Sequence, residues 1–293
     1  MKVKQIIGNK NLAEVFVAKT NSNKLIEFAY SMHCDNKKIV LTLSTLYGCP
    51  VACKFCDAGG YFEGNISEQD IFKQISTVLN HKFGDNKTNL DEFKIQFARM
   101  GEPTFNADVL KVLTNFPKIY NTKNFVPSIS TIAPEGCETF LENLLEIKNK
   151  FYKNTMQMQF SIHSTNEEKR NWLMPVKKWN FEKIANYGNR FFTKGGKKIT
   201  LNFAVAQDSV INVDELKKYF DTNKFLIKIT PINPTNSANK NKINSGIKTS
   251  DDNCSLIAQL KKAGYEVILS MGELEENEIG SNCGQYLTNH TKK

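Results

Sequence analysis

Seven short runs rich in β-branched and aromatic residues alternate along this chain with stretches of helical periodicity, a pattern that predicts parallel βα units rather than hairpins. The runs are 39–44 (IVLTLS), 93–98 (FKIQFA), 126–131, 156–163 (MQMQFSIH), 199–206 (ITLNFAVA), 226–230 and 266–271. Between them the spacing predicts helices over 67–79, 108–116, 135–148, 181–192, 213–220 and 251–263. In the first of these, Ser67 is placed to cap, Asp70 suits the first turn, and Ile71, Ile75, Val78 and Leu79 recur on one face. Gly264 closes the last at a C-cap position. A chain of 293 residues, 40% hydrophobic, is long enough to wrap six or seven such units around one core. The expected fold is therefore α/β, a partial (β/α)6-type barrel over 39–272 with a short N-terminal extension (1–38) and a C-terminal tail (273–293).

Barrels of this kind gather reactive groups at the C-terminal ends of their strands. Cys49, Cys53 and Cys56 follow the first run, Gly101 and Glu102 the second, Ser130 ends the third, Ser161 to His163 end the fourth, and Asn233 follows the sixth. The polar segment 233–250 (NPTNSANKNKINSGIKTS) has no periodicity and reads as a loop at the same mouth.

The cysteine trio falls in YGCPVACKFC (47–56). A four-iron cluster is ordinarily held by four thiolates, so three with no fourth nearby leave one iron open to an exogenous ligand. A zinc site would want a fourth Cys or His at close spacing, and Cys34, His33 and His81 sit outside it. A disulfide framework is disfavoured by an odd seven cysteines and a Lys-rich N-terminus without a hydrophobic signal core. Reduced thiols in a cytoplasmic protein fit better, and no apolar run approaches the length of a membrane span. The net charge of +9 would attract an anionic partner. The Lys, Asn and Ile bias of a low-GC coding sequence produces the same charge with no nucleic-acid partner, and paired lysines such as Lys177/Lys178 are more often solvated faces.

CxxxCxxC after a first strand and GEP after a second resemble the radical S-adenosylmethionine (SAM) superfamily. ARMGEPTFN (98–106), SISTIAP (128–134), FSIHS followed by RNWLMPVKK (160–178), ITPINP (229–234) and CGQY (283–286) resemble, in order, the signature blocks of the RlmN/Cfr family of radical SAM methyltransferases, which methylate adenine carbons in RNA. The likeness runs from about Glu27 to Tyr286.

It implies that Cys49, Cys53 and Cys56 hold a 4Fe-4S cluster whose open iron chelates SAM. It further implies that Gly101, Glu102, Ser130, Ser161, Ile162, His163 and Asn233 contact SAM. Cys283 matches the cysteine that accepts a methyl group from one SAM; a second SAM then supplies the radical that lets this methyl carbon add to the base, since an aromatic C–H carbon is too poor a nucleophile for polar methylation. Glu27, in KLIEF, matches a glutamate assigned as general base, although alone a carboxylate there reads equally well as solvated. A reducing partner such as flavodoxin or ferredoxin and an RNA substrate are implied as well; the oligomeric state is not.

Three departures qualify the resemblance. The cysteine that resolves the protein–RNA adduct normally lies seven residues before the first cluster ligand, where this chain has Thr42; Cys34 is the substitute we expect, with Cys137 and Cys254 less well placed on helical stretches. The 38 residues before the first run are fewer than the family's N-terminal accessory domain. The family's basic stretch before CGQ is replaced by the acidic GELEENEI (272–279), which would repel phosphates. Three readings stay open: adenine-carbon methylation in RNA, a family member acting on another substrate, and a non-catalytic iron-sulfur or RNA-binding protein.

Overall fold

A computed structural model describes residues 1–32, 38–84, 92–120, 122, 124–247, 254–271 and 286–287. All seven expected strands are present and form one parallel array: β4 (Lys38–Leu43), β7 (Glu92–Phe97), β8 (Phe125–Thr131), β9 (Gln157–Ser161), β10 (Ile199–Val205), β11 (Phe225–Pro231) and β12 (Glu266–Leu269). Each pairs in parallel with the next, as in Leu41 with Ile95 and Asn202 with Lys228. Residues from both halves of this sheet line a single cavity, so the sheet curls into an open barrel around a lumen.

Residues 1–32 do not lie outside the core, contrary to what the sequence leads us to expect of the N-terminal extension. Three further strands, β1 (Lys2–Asn9), β2 (Ala13–Lys19) and β3 (Leu25–Met32), form an antiparallel meander whose last member pairs with β4, giving a ten-stranded sheet. Phe16 and Phe28 face each other across β2 and β3, their rings stacked 5.2 Å apart, and both are fully buried with Tyr30. Each such ring is worth about 2 kcal/mol in removed apolar surface, enough to fix the meander against the barrel.

Helices α1 (Glu68–Phe83), α2 (Asp108–Ile119), α3 (Glu138–Phe151), α5 (Phe181–Phe191), α6 (Val213–Tyr219) and α8 (Cys254–Lys262) occupy the expected positions. Ser67 caps α1 by accepting from the Asp70 amide at 3.2 Å, and α1 runs one turn past its expected end to a left-handed Gly84. α3 starts three residues late because Gly136 takes a positive φ of 88° and holds 134–137 in a turn. Two short helices were not expected. α4 (Glu167–Leu173) is capped by Asn166, and α7 (Asn236–Lys240) by Thr235 inside the segment read as loop. The hairpin β5 (Leu46–Gly48) and β6 (Phe62–Asn65) brackets the cysteine loop.

Candidate active site

The cysteine loop leaves β5 through Gly48, whose φ is 83°; a Cβ there would fall 2.3 Å from the Tyr61 carbonyl oxygen, so only glycine fits. Cys49 bridges to Gly59, and Ala52 adopts a left-handed φ of 54°. The loop is clamped from outside by the α7 segment. Asp57 accepts from the Asn236 amide (2.9 Å), the Asn236 side chain (3.2 Å) and the Ser237 amide (2.7 Å), the Thr235 hydroxyl donates to the Phe55 carbonyl, and Asn241 donates to the Lys54 carbonyl. From α4, the Leu173 carbonyl accepts from the Lys54 amide. This is what the two unexpected helices do: they carry no chemistry of their own but fix the loop that bears the thiols.

All three thiols are half-buried at one end of a cavity of about 870 Å³. Burial, with the Glu102 carboxylate nearby, pushes the Cys49 thiol up to about 11, while the amides of Val51, Glu102 and Ala52 aim at its sulfur and pull the other way. Amides directed at a sulfur are the setting that stabilises a ligating thiolate, so the donor set fits a thiolate-bound cluster. Among the described residues no three His, Cys, Asp or Glu converge tightly enough on one point for a single metal ion; thiolates that each take a different iron need not.

The second strand ends at Gly101, with a φ of 101° and Leu46 where a Cβ would stand. Glu102 follows, buried, with its carboxylate accepting from the Thr104 amide (3.2 Å) and hydroxyl (2.9 Å), the Ile132 amide (3.0 Å) and the Thr131 hydroxyl. Burial raises its pKa and these donors oppose the rise, which leaves a carboxylate that gains from a cation beside it.

Ser130, Ser161, His163 and Asn233 line the same cavity. Ile162 does not: its side chain is fully buried in the apolar core, and its amide is used by the Asn202 carbonyl. His163 has a φ of 61°, packs edge-on to Phe55 at 5.0 Å, and accepts the Ala204 amide at Nδ1 (3.0 Å). Burial, reinforced by the Arg170 charge, holds its pKa down at about 3, so the ring is neutral with its proton on Nε2.

Glu27 is not solvated. It lies wholly buried on β3, its Oε1 2.8 Å from Nη2 of Arg99, an ion pair that is not an aligned hydrogen bond. Oε2 accepts weakly from the Leu287 amide at 3.4 Å. Arg99 stands inside the ARMGEP block and was not singled out in the sequence; its position directly before Met100 and Gly101 was the available signal. Thr42 lines the lumen opposite Ala29, one pleat from Glu27. Cys34 and Cys283 lie outside the described residues. Their neighbours do not: Met32 and Lys38 stand at the N-terminal end of β4, away from Cys49, whereas Leu287 is 3% exposed against Val17, Ala58 and Met100 beside Cys56. Cys137 is buried at the start of α3, outside the lumen, and burial pushes it to about 12.

The fold matches that of a crystallised radical SAM methyltransferase from Sphaerobacter thermophilus, with a TM-score of 0.74 over 97% of this chain and 80% of that one at 17% identity. A "ribosomal RNA large subunit methyltransferase N" from Nitrosopumilus maritimus is 28% identical over 95% of this chain and 76% of its own length. The "probable dual-specificity RNA methyltransferase RlmN" of Fervidobacterium nodosum is 27% identical over 76% of this chain. The chain is similar in sequence to RlmN-type methyltransferases along most of its length. It spans 62% of the F. nodosum relative's length, and no family model matches it. Within the RlmN/Cfr-type frame, the residues that sequence reasoning missed are the supports: Asp57, Thr131, Arg99 and Asn202, all polar and all joined to partners far away in the chain. Among the described residues no helix is long and apolar enough to cross a membrane.

Proposed function

We propose that this chain is a radical SAM methyltransferase that methylates an adenine carbon in RNA through Cys283. The observation that carries this reading is the convergence of three loop thiols with Glu102, Ser130, Ser161, His163 and Asn233 on one cavity at the C-terminal ends of the strands. Cys49, Cys53 and Cys56 would hold the 4Fe-4S cluster, and the polar groups facing them would hold SAM. When bound, the cluster supplies the electron that cleaves the sulfonium, and SAM supplies the methyl group.

The chain's own residues have separable tasks. Glu102 provides a desolvated negative charge for an ammonium, already oriented by four donors. His163, kept neutral, offers Nε2–H as a fixed donor. Ser130, Ser161 and Asn233 offer short polar side chains suited to ribose and carboxylate oxygens. The α7 segment and α4 hold the thiol loop closed against the cavity. Leu287 anchors the tail beside Cys56, and Cys283, four residues earlier, is within about 14 Å of that anchor by chain length alone.

In this reading residues 39–272 form the catalytic body, the electron comes from a flavodoxin- or ferredoxin-type partner, and the thiols stay reduced in the cytoplasm. The substitution of Thr42 for a thiol, together with the ion-paired Glu27, favours one second reading: the same site acting on a substrate other than rRNA or tRNA.

Anaerobic reconstitution followed by mass spectrometry of the tryptic Cys283 peptide, with a Cys283→Ala control, tests the proposal. A methylated Cys283 is expected after incubation with SAM. Reconstituted protein that forms 5'-deoxyadenosine with dithionite yet never carries methyl at Cys283 would sink the protein-borne route, and RNA left unmodified by methyl-Cys283 enzyme would favour the second reading.

A further inference from the structure

The lumen does not end at the cofactor-facing groups. Its lining continues down the strands away from the thiols, past Lys228 midway along β11 to Lys94 early in β7 and Lys38 at the start of β4, and there it becomes cationic. Inward positions of β7 and β11 carry Lys94 and Lys228, which face the same lumen from opposite walls and repel each other. The Lys94 ammonium donates to Gln157 Oε1 at 2.6 Å. Lys228 has no acceptor for its ammonium among the described residues.

Among the described residues no carboxylate is left to balance the two ammoniums. Of the carboxylates near this floor, Glu92 is committed to Lys38 at 2.6 Å, and Lys197 adds further positive charge. Among the described residues the only carboxylate side chain lining the cavity itself is Glu102, at the thiol end. Beside Lys228, its register partner Asn202 presents a buried Oδ1 with no donor. A barrel interior is ordinarily filled by branched apolar side chains; this one instead holds two half-buried ammoniums and a ring of amides, an arrangement with a net cost unless an anion completes it.

We propose that the floor of the lumen is a binding site for a phosphate group, held between the Lys94 and Lys228 ammoniums, with the free amide oxygen of Asn202 taking a hydroxyl proton of the same ligand. Burial and the neighbouring ammoniums bring the Lys94 pKa down to about 8, and burial lowers that of Lys228. Lys94 therefore keeps most of its charge at neutral pH, and an anion between the two would raise both values. The phosphate chemistry has two sources, free hydrogen phosphate and the monoester of a small hydroxylated molecule; the lumen is roomy enough for either.

The test uses the whole chain. Inorganic phosphate is titrated at constant ionic strength and followed by phosphorus NMR line broadening, with wild type, Lys94→Gln and Lys228→Gln compared. Saturable binding is expected in wild type, about tenfold or more weaker in each variant. In wild type alone, saturating phosphate should also move the Lys94 titration from about 8 toward the ordinary lysine value. Absence of saturable binding to wild type at about 10 mM phosphate, binding to either variant as tight as to wild type, or an unmoved Lys94 titration overturns the site. Competition by ribose 5-phosphate assigns the site to a monoester, and its failure assigns it to the free anion. SAM affinity is read in parallel, so that loss of this site is distinguished from failure of the proposed activity.

Discussion

Replacing Arg99 by Met should destabilise the fold more than almost any other single polar substitution in this chain. Arg99 and Glu27 side chains are 2% and 0% exposed, and their charged atoms are 2.8 Å apart. Taking away the guanidinium strands a carboxylate that water does not reach, and breaking a buried pair in this way costs about 3–5 kcal/mol. Glu27→Gln strands the guanidinium instead and should cost somewhat less, because the Gln oxygen still accepts and Arg99 keeps its other contacts. The double variant Arg99→Met/Glu27→Gln removes both charges and should recover about 2–3 kcal/mol relative to the sum of the singles. Urea unfolding at pH 7, extrapolated linearly and followed by circular dichroism, measures all four corners of the cycle. If Arg99→Met loses less than about 1 kcal/mol, or if the two singles simply add, the pair is not a dry ion pair and the reasoning fails.

His163 titrates at about 3 when folded and 6.5 when free; the unfolded chain binds the proton first, so its contribution is intact above pH 6.5 and is lost as pH falls toward 3, about 3 kcal/mol by pH 4. That loss should vanish in His163→Gln, and urea midpoints at pH 7 and 4 check it. Gly48→Ala forces a Cβ to within 2.3 Å of the Tyr61 carbonyl at a φ of 83°; iron retained after anaerobic reconstitution should fall well below wild type, with about 1–3 kcal/mol of stability lost. Asp57→Ala removes three acceptor contacts to the α7 segment and should cost about 1.5–3 kcal/mol, with faster iron loss to a chelator than in wild type. Thr42→Cys places a thiol on the lumen wall; on the proposed route it should turn a persistent protein–RNA adduct into free product over several turnovers, as denaturing gels of labelled RNA would reveal.

The parallel strands were legible because a barrel wall has two unlike faces. In MQMQFSIH (156–163) the Met and Phe positions are buried in the core while Gln159 and Ser161 line the lumen, and this alternation is written in the sequence. The N-terminal meander was not legible as part of the core, because nothing local reveals that Phe16 and Phe28 stack or that β3 continues the sheet past β4. The thiol loop could be read from its spacing; the Asp57 clamp could not, since its partners lie 179 and 180 residues away. Glu27 was misjudged as equally suited to water for the same reason: the guanidinium that buries it sits on another strand's exit. Lys94 and Lys228 look like solvated lysines until curling of the sheet points both into one lumen.

The positions that set this chain apart from its resemblance are neighbours in space. Ala29 pairs with Thr42, and Glu27 lies one pleat nearer the mouth on the same face, so a base and a resolving thiol would meet there if both were present. Here a hydroxyl replaces the thiol, and a hydroxyl cannot enter a disulfide. The carboxylate beside it faces a guanidinium at 2.8 Å, and a positive charge at that distance favours the ionised carboxylate and makes it a weaker proton acceptor. Cys137 is buried outside the lumen. Cys34, the substitute expected from the sequence, lies outside the described residues. Among the described residues the lumen wall carries no thiol besides Cys49, Cys53 and Cys56, and Glu27 with Arg99 is the seat on which the Leu287 end of the tail rests.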